Sequence, residues 1–226
     1  MSALFITATG TDIGKTFVTA GLIRHLRGCG RAVDAIKPVA SGFDPAAWQG
    51  SDPAALLDAL GRERTLAEVE RIAPWRFTAP LSPDMAAARE GQTVPFADVA
   101  AFCRRAMATQ RDGTLLIEGI GGVMVPLDDR HTVLDLMSML RIPVVLVAGS
   151  YVGTLSHTLT ALEVLARRNL DIAAVVVSES EASAASLEDT LATLRRFAHP
   201  LDIIGVPRLT GGAADDGAFA PLAALV

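Results

Sequence analysis

The chain has 226 residues, a formal net charge of −5 and a composition that is half apolar. No run approaches the roughly 20 uncharged apolar residues that a bilayer span needs, and the first apolar stretch lacks the basic flank of a signal peptide, so we expect a cytoplasmic protein. Acidic and basic residues are interleaved, which argues against a nucleic-acid partner and against binding to a membrane surface.

The first part of the chain alternates between strand and helix patterns. An apolar, β-rich run, "ALFITAT", is followed by "KTFVTAGLIRHLRGCG", in which apolar residues recur at helical spacing up to a glycine stop. The next run, "AVDAIKPV", predicts a second strand that is closed by proline. This order of elements predicts a β-α-β unit.

Four later runs are short and nearly continuous in apolar residues: "TLLIEGIGG", "PVVLVAG", "IAAVVVS" and "LDIIGVP". Such runs are typical of parallel strands that are covered on both faces, and helical patterns separate them. We therefore predict an α/β protein in which residues 1–226 form a single domain. Its core is a mostly parallel, doubly wound sheet flanked by helices, and residues 43–95 form an excursion of loops and helices beside it.

Ligands of doubly wound sheets bind beyond the carboxyl ends of the strands. In this chain that location falls in residues 7–12, 37–41, 118–122 and 149–154. The first of these segments overlaps "TGTDIGKTF", which ends like a phosphate-binding loop but has threonine at position 9, where the usual spacing requires glycine. Because the segment lies between the first strand and the first helix, we interpret it as a variant phosphate loop.

The loop contains one of two unusual lysines. Backbone N–H groups from Thr11 to Thr16 can surround phosphate oxygens at the helix N-terminus, Lys15 adds a charged contact, and the Thr16 hydroxyl can ligate Mg²⁺. Lys15 and Lys37 are the only lysines among 20 basic residues. Since arginine serves everywhere else, we predict that these two positions need a compact ammonium group that fits among phosphate oxygens.

Two carboxylates are candidates for the same site. Glu118 ends a buried strand in "LLIEGIGG", where it can reach Mg²⁺ and where the following glycines allow a ligand to approach the backbone. Asp52 lies in "SDPAALLDAL" and has two interpretations. It is either a helix N-cap, with Pro53 as the first helical residue, or a metal ligand, and the local pattern alone favours the cap.

Six stretches resemble the dethiobiotin synthetase family over nearly the full length of the chain: "ITATGTDIGKT", "IKPVASG", "GSDPAAL", "FTAPLSPDMAA", "LLIEGIGGVMVPL" and "VGTLSHTLTALEVL". In that family the phosphate loop has an extra residue, with threonine and an acidic residue before the final Gly-Lys-Thr. The resemblance implies a P-loop NTPase-like fold. It also implies one reaction, in which 7,8-diaminopelargonic acid, CO₂ and MgATP give dethiobiotin, ADP and phosphate through a carbamate and a carbamic-phosphoric anhydride.

The resemblance further implies a role for each site residue. Lys15 contacts the phosphates, Lys37 bridges the carbamate and the γ-phosphate, and both are catalytic. Thr11 and Ser41 bind the reacting end of the diamine. The implied Mg²⁺ ligands are Thr16, Asp52 and Glu118, which favours the ligand over the cap for Asp52. The implied nucleotide contacts are Asp12, Ile13, Gly14, Lys15, Thr16, Phe17, Asp52, Glu118, Gly119, Ile120, Gly121, Ser178, Val206 and Pro207.

Members of the family are homodimers in which the substrate lies near the subunit interface. A helix N-terminus of the partner chain holds the substrate carboxylate, and a helix N-terminus favours an anion. The resemblance implies that the corresponding residues here are Gly153, Thr154, Leu155 and Ser156.

The chain departs from the family pattern at three positions. Ala8 stands where glycine is common, Asp84 where histidine is frequent, and Ser178 where asparagine often reads adenine. A serine hydroxyl offers less than the paired donor and acceptor of an amide. We therefore predict only a modest preference for ATP over other nucleoside triphosphates.

The alternative is an ATPase switch of the chromosome-partition or division-site type, which has the same nucleotide fold. Those proteins resemble "KGGxGKT", with an extra lysine early in the loop, and often carry a basic amphipathic tail. Residues 8–13 contain no lysine, and the tail "GGAADDGAFAPLAALV" is acidic to apolar. The sequence therefore favours the enzyme.

Overall fold

The computed structural model describes residues 2–110, 112–181, 183–208 and 216–226. Its strands are β1 Ser2–Ala8, β2 Val33–Ile36, β3 Val39–Ser41, β4 Trp75–Phe77, β5 Thr114–Glu118, β6 Val144–Gly149, β7 Ile172–Ser178 and β8 Ile203–Val206. Its α-helices are α1 Lys15–Gly28, α2 Asp52–Leu60, α3 Leu66–Ile72, α4 Pro83–Arg89, α5 Phe96–Thr109, α6 Val133–Leu140, α7 Thr154–Arg167, α8 Leu187–Phe197 and α9 Ala220–Ala223, with short 3₁₀ helices at Trp48–Gly50 and Asp216–Phe219. None of the helices in these ranges is long and apolar enough to cross a membrane.

Six strands form one sheet in the order β2-β5-β1-β6-β7-β8, and every pairing in it is parallel. All residues of β5 and β6 are buried, as expected of apolar runs that are covered on both faces. In this order β2 and β5 lie on one side of β1, and β6, β7 and β8 lie on the other side. The carboxyl end of β1 therefore lies where the strand order reverses, which is where such sheets bind ligands. The structure confirms the predicted fold class.

The prediction of "AVDAIKPV" as one strand is wrong, since the structure divides it into two. β2 ends at Ile36, and β3 begins at Val39 in a separate two-stranded parallel sheet with β4. Pro38 has no N–H group to continue a ladder, and the N–H of Lys37 donates to the carbonyl of Ile72 at 2.9 Å. The break places Lys37 between the two sheets.

The predicted excursion, residues 43–95, contains α2, α3, β4 and α4. Because β4 pairs with β3, the excursion begins at Val39 rather than at residue 43. Three-residue strands have too little alternation to be recognised in a sequence. Leu56 and Leu57 of α2 are fully buried in the same hydrophobic cluster as Phe5 of β1, so the excursion packs against the main sheet.

The C-terminal residues 216–226 pack along α1. Phe219 is buried over Gly21, where an added Cβ atom would come within 2.1 Å of its ring. The guanidinium group of Arg31 donates to a backbone carbonyl of α9 at 2.8 Å. Phe219 also contacts Phe17 edge to face, with ring centroids 6.0 Å apart. The C-terminal residues therefore cover one side of α1, from Phe17 in its first turn to Arg31 beyond its end.

Candidate active site

The predicted phosphate loop lies between β1 and α1, as the sequence indicates. Two of its residues have the left-handed conformation, Asp12 at φ 57° and Gly14 at φ 93°. Gly14 is the N-cap of α1, and no side chain in the described part of the chain caps this helix. The N–H groups of the first turn therefore have no side-chain acceptor, which is the arrangement that favours an anionic ligand at a helix N-terminus.

Lys37 lies at the centre of the site and is held by two carboxylates. Its Nζ atom is 2.6 Å from Oε1 of Glu118 and 2.8 Å from Oδ2 of Asp52. It also donates to the carbonyl oxygen of Gly119 at 3.4 Å. Lys37 and Glu118 are buried, whereas the side chain of Asp52 is 51 % exposed. The fold therefore brings together three predicted site residues that are far apart in the sequence.

Glu118 connects Lys37 to the phosphate loop. The hydroxyl group of Thr16 donates to Oε1 of Glu118 at 2.7 Å. The second carboxylate oxygen, Oε2, is buried and has no hydrogen-bond partner among the described residues, which is costly for a polar group. An unpartnered carboxylate oxygen close to a hydroxyl group suits a small divalent cation, because such cations prefer oxygen ligands.

The two lysines differ in their electrostatic surroundings. Burial lowers the pKa of Lys15, and the positive charge of Lys37 lowers it further. Burial also disfavours the charged form of Lys37, but Glu118 and Asp52 outweigh it and raise the pKa of this lysine. Burial disfavours the ionised form of Asp52, but Lys37 outweighs it and lowers the pKa of this carboxyl group. An anionic ligand would therefore favour the charged form of Lys15, while Lys37 and Asp52 are already paired.

Asp52 is not the cap of α2, so the cap interpretation is wrong. The N-cap is Ser51, whose hydroxyl oxygen accepts from the N–H of Ala54 at 3.5 Å. Asp52 is the first helical residue, which puts Pro53 second rather than first. Serine is as good an N-cap as aspartate, so the Asp52 side chain is left to pair with Lys37.

A cavity of about 460 Å³, which we call the lysine pocket, opens beside Lys37. Both predicted substrate contacts, Thr11 and Ser41, line it. Its lining combines polar groups with apolar side chains, as is usual for a small-molecule site. The other lining residues are Asp12, Ala40, Gly42, Phe43, Gly50, Ser51, Asp52, Pro53, Pro80, Leu81, Ser82, Pro83, Ile120, Gly121 and Val125.

A second cavity, of about 530 Å³, lies on the β7 side of the phosphate loop, and we call it the lateral pocket. Its lining residues are Asp12, Ile13, Gly14, Phe17, Ser178, Glu179, Ser180, Glu181 and Arg208. Asp12 lines both pockets, so the phosphate loop separates them. Val206 is buried and Pro207 is exposed at the end of β8, and neither is among the described residues that line the two pockets.

The N-terminus of α7 contains the four residues predicted to bind a substrate carboxylate. Gly153 is the N-cap, with φ 99° and no side-chain cap. The hydroxyl group of Thr154 donates inward to the carbonyl of Gly149 at 2.6 Å, Leu155 packs against the core and Ser156 is exposed. Within the described chain these residues do not line the lysine pocket.

Sequence reasoning missed four residues of the lateral pocket: the carboxylates Glu179 and Glu181, and with them Ser180 and Arg208. A signal for the first two was present, because "SESE" places two carboxylates directly after a buried strand. The edge beyond such a strand is where ligands bind. Arg208 gives no local signal, since its contact with Glu181 joins residues that follow different strands.

The parallel sheet, the glycine-containing loop before α1 and the buried lysine define the class of P-loop nucleoside triphosphate-binding proteins. A family model described as an AAA domain matches residues 2–210. The solved structure of the MinD cell division protein from Aquifex aeolicus aligns with 92% of this chain and 83% of that chain at a TM-score of 0.51. The two sequences are only 12% identical, so this likeness shows the fold alone.

Curated relatives are much more similar in sequence. The ATP-dependent dethiobiotin synthetase BioD of Caulobacter vibrioides (strain NA1000 / CB15N) is 50% identical over 222 residues, which cover 98% of this chain and 99% of the relative. The protein of the same name from Acidiphilium cryptum (strain JF-5) is 52% identical over 197 residues, which cover 87% of this chain and 88% of the relative. The chain therefore belongs to the dethiobiotin synthetase family of ATP-dependent ligases, which confirms the family predicted from the motifs.

Proposed function

We propose that this chain closes the ureido ring of dethiobiotin from 7,8-diaminopelargonic acid and CO₂, with ATP and Mg²⁺, in biotin biosynthesis. One observation carries the proposal. The ammonium group of Lys37 lies beside the lysine pocket and is linked through Glu118 to Thr16 of the phosphate loop. A cation at this point can face a γ-phosphate at the loop and an anionic group in the pocket at the same time.

The reaction divides into three steps. One amine of the substrate attacks CO₂ and loses a proton, which gives a carbamate. A carbamate oxygen then attacks the γ-phosphorus of ATP, and ADP leaves, which gives the carbamic-phosphoric anhydride. Finally the second amine attacks the carbonyl carbon and loses a proton, and phosphate leaves with the former carbamate oxygen as the ring closes. None of these steps needs a protein nucleophile, so catalysis rests on positioning and charge stabilisation.

The side chains around the loop supply these two effects. Lys15 and the N–H groups at the start of α1 hold the phosphates. Lys37 stabilises the negative charge that develops between the carbamate and the γ-phosphate. Thr11 and Ser41 hydrogen-bond the reacting end of the diamine, while apolar residues of the lysine pocket such as Phe43 pack against its aliphatic chain.

Thr16, Asp52 and Glu118 fit a Mg²⁺ site. All three side chains offer oxygen ligands. Among these oxygens, the unpartnered Oε2 of Glu118 is the one that most needs a positively charged partner. The described residues contain no group of three or more His, Cys, Asp and Glu side chains that could hold a metal, so in our proposal the ion takes its remaining ligands from phosphates. When bound, Mg²⁺ neutralises and orients the phosphate oxygens. Lys37 contacts Oε1 of Glu118 and Oδ2 of Asp52, so the metal would share these carboxylates with Lys37 and weaken both ion pairs.

The lateral pocket is our candidate for the nucleoside of ATP. It begins at Gly14, next to the proposed phosphate site, and Phe17 supplies an aromatic ring in its wall. Its volume of about 530 Å³ lies within the range of small-molecule sites. The phosphate loop would therefore hold ATP with its base on the β7 side and its γ-phosphate towards Lys37.

We further propose a homodimer in which the N-terminus of α7 completes the substrate site of the partner subunit. The uncapped N–H groups after Gly153 favour an anion such as the substrate carboxylate. Ser156 is exposed, so the position is open to a ligand held by another chain.

Product formation tests the proposed reaction. The purified protein is incubated with the diamine, bicarbonate, ATP and Mg²⁺, and dethiobiotin and ADP are quantified, with one component omitted in each control. We expect equal amounts of dethiobiotin and ADP, and neither product when the diamine is absent. Release of ADP at the same rate without the diamine would contradict the proposal and favour an ATPase switch.

A further inference from the structure

One wall of the lateral pocket carries two carboxylates, and the transfer of phosphate does not explain why they are there. Glu179 and Glu181 line the pocket just beyond the end of β7. Arg208 holds both of them. Its backbone N–H donates to Oε2 of Glu179 at 2.9 Å, and its guanidinium group donates to Oε2 of Glu181 at 2.9 Å. A single arginine therefore orients two carboxylates on one side of the pocket.

Ser178, which the family resemblance assigns to base reading, has little access to the pocket. It is 7% exposed, and its Oγ atom lies 2.7 Å from the point where a Cβ atom at Gly14 would stand. Its hydroxyl group therefore packs against the phosphate loop. Glu179 is half-buried and Glu181 is exposed, so these carboxylates are better placed to meet a base.

Both carboxylates keep free acceptor capacity. An ionised carboxylate has two oxygens with about four lone-pair sites and no donor, and within the described ranges Arg208 contacts one oxygen of each. A base that directs an exocyclic amino group at this wall can donate a hydrogen bond to it. A base with a keto oxygen in the same place instead brings a lone pair towards negative charge.

We propose that Glu179 and Glu181, held by Arg208, select the nucleobase by its exocyclic amino group. The site then prefers ATP to ITP, whose base has a keto oxygen in place of the amino group of adenine, and by the same rule prefers CTP to UTP. The proposal rests on the proposed function in taking the lateral pocket as the nucleoside site. Phe17, which contacts Phe219, offers a ring for the base to pack against.

The test measures nucleotide binding to the full chain by calorimetry, without the diamine or bicarbonate. We expect ATP to bind about tenfold more tightly than ITP, which is the size of one hydrogen bond to a charged group at an exposed site. The double variant Glu179→Gln and Glu181→Gln carries amide groups that can donate to a keto oxygen, so the ratio should fall towards one. Glu188→Gln changes an exposed glutamate of α8 outside the pocket and should keep the wild-type ratio.

Equal binding of ATP and ITP by the wild-type protein would overturn the proposal, and so would an unchanged ratio in the double variant. Because no ring closure is involved, either result would leave the proposed ligase reaction intact. Conversely, the expected ratio in a protein that forms no dethiobiotin would support base selection and contradict the proposed function.

Discussion

Lys15 and Lys37 lie in one site but hold their charges in different ways. Lys37 is paired with two carboxylates, whereas burial and the charge of Lys37 lower the pKa of Lys15. A bound nucleotide would bring negative charge next to Lys15 and so favour its ammonium form. A divalent cation would compete with Lys37 for Glu118 and Asp52. In the proposed complex, the phosphates and the cation would weaken the pairing of Lys37 with its two carboxylates and let Lys37 face the reacting groups.

Replacement of Lys37 by methionine, which has a side chain of similar length, tests its catalytic role. We expect turnover to fall on the order of 100- to 1000-fold, because a positive charge is removed from the position where negative charge develops. The variant leaves Glu118 buried without its ion-pair partner, which costs stability, so ATP binding by calorimetry serves as the control for a folded site. Unchanged turnover at saturating substrate would contradict the assignment.

The variant Asp52→Asn separates a metal ligand from a residue that only pairs with Lys37. We expect it to raise the Mg²⁺ concentration for half-maximal activity, because a neutral amide oxygen is a weaker ligand than a carboxylate. The matched control is Ser51→Ala, which removes the neighbouring cap of α2 and should cost about 1 kcal/mol of stability without a change in the Mg²⁺ requirement. An identical Mg²⁺ titration for both variants would remove Asp52 from the metal site.

The sequence predicts those site residues that a local motif identifies. Lys15 and Thr16 follow from the loop motif, and Glu118 follows from its position at the end of a buried strand. The role of Asp52 does not follow, because "SDP" contains two residues that can cap a helix and the sequence does not show which one does so. The deciding contact, between Asp52 and Lys37, arises only when α2 packs beside the sheet.

At the level of elements, a strand can be recognised in the sequence when it is long enough to form a continuous apolar stretch. β5, β6 and β7 are continuous apolar stretches, and each was predicted from its sequence. β3 and β4 have three residues each and form a two-stranded sheet with one another, so their hydrogen bonds depend on tertiary packing rather than on a local pattern. The sequence does not show the end of β2 at Ile36 either, because β3, which follows it, is too short to be recognised as a separate strand.

Two glycines of α1 test the packing of the C-terminal residues. A Cβ atom at Gly21 would clash with the ring of Phe219, whereas at Gly28 it would meet nothing within 4 Å. We expect Gly21→Ala to lower the free energy of unfolding by about 1 to 3 kcal/mol, as overpacking does. The matched variant Gly28→Ala should leave it unchanged or raise it by up to about 1 kcal/mol, from helix propensity. Urea unfolding measures both, and equal stabilities would contradict the packing of Phe219 on α1.

At the scale of the whole molecule, the phosphate loop separates two pockets at the carboxyl edge of one parallel sheet. The lateral pocket suits a nucleoside, and the lysine pocket suits the diamine. The N-terminus of α7 does not line the lysine pocket, so a complete substrate site in our account requires a second copy of the chain. In the proposed dimer, the activity of each site would depend on two subunits.

Mixed dimers test this dependence. Lys37→Met removes the proposed catalytic lysine, and Ser156→Glu places a negative charge where the substrate carboxylate would bind, so we expect each variant alone to be inactive. Random exchange of subunits gives half mixed dimers, each with one intact site, which predicts about a quarter of wild-type activity in a two-fold symmetric dimer. If the mixture is no more active than its separate components, α7 does not complete the site of a partner.

The most direct test of the central claim follows one oxygen atom. If a carbamate oxygen attacks the γ-phosphorus of ATP, the phosphate released on ring closure must carry an oxygen that came from CO₂. The protein is supplied with C¹⁸O₂, the diamine and MgATP in unlabelled water, and the phosphate is analysed by mass spectrometry before CO₂ exchanges its oxygen with the solvent. We predict phosphate with one ¹⁸O atom for each dethiobiotin formed, whereas unlabelled phosphate would mean that water attacks ATP and would contradict the proposed reaction.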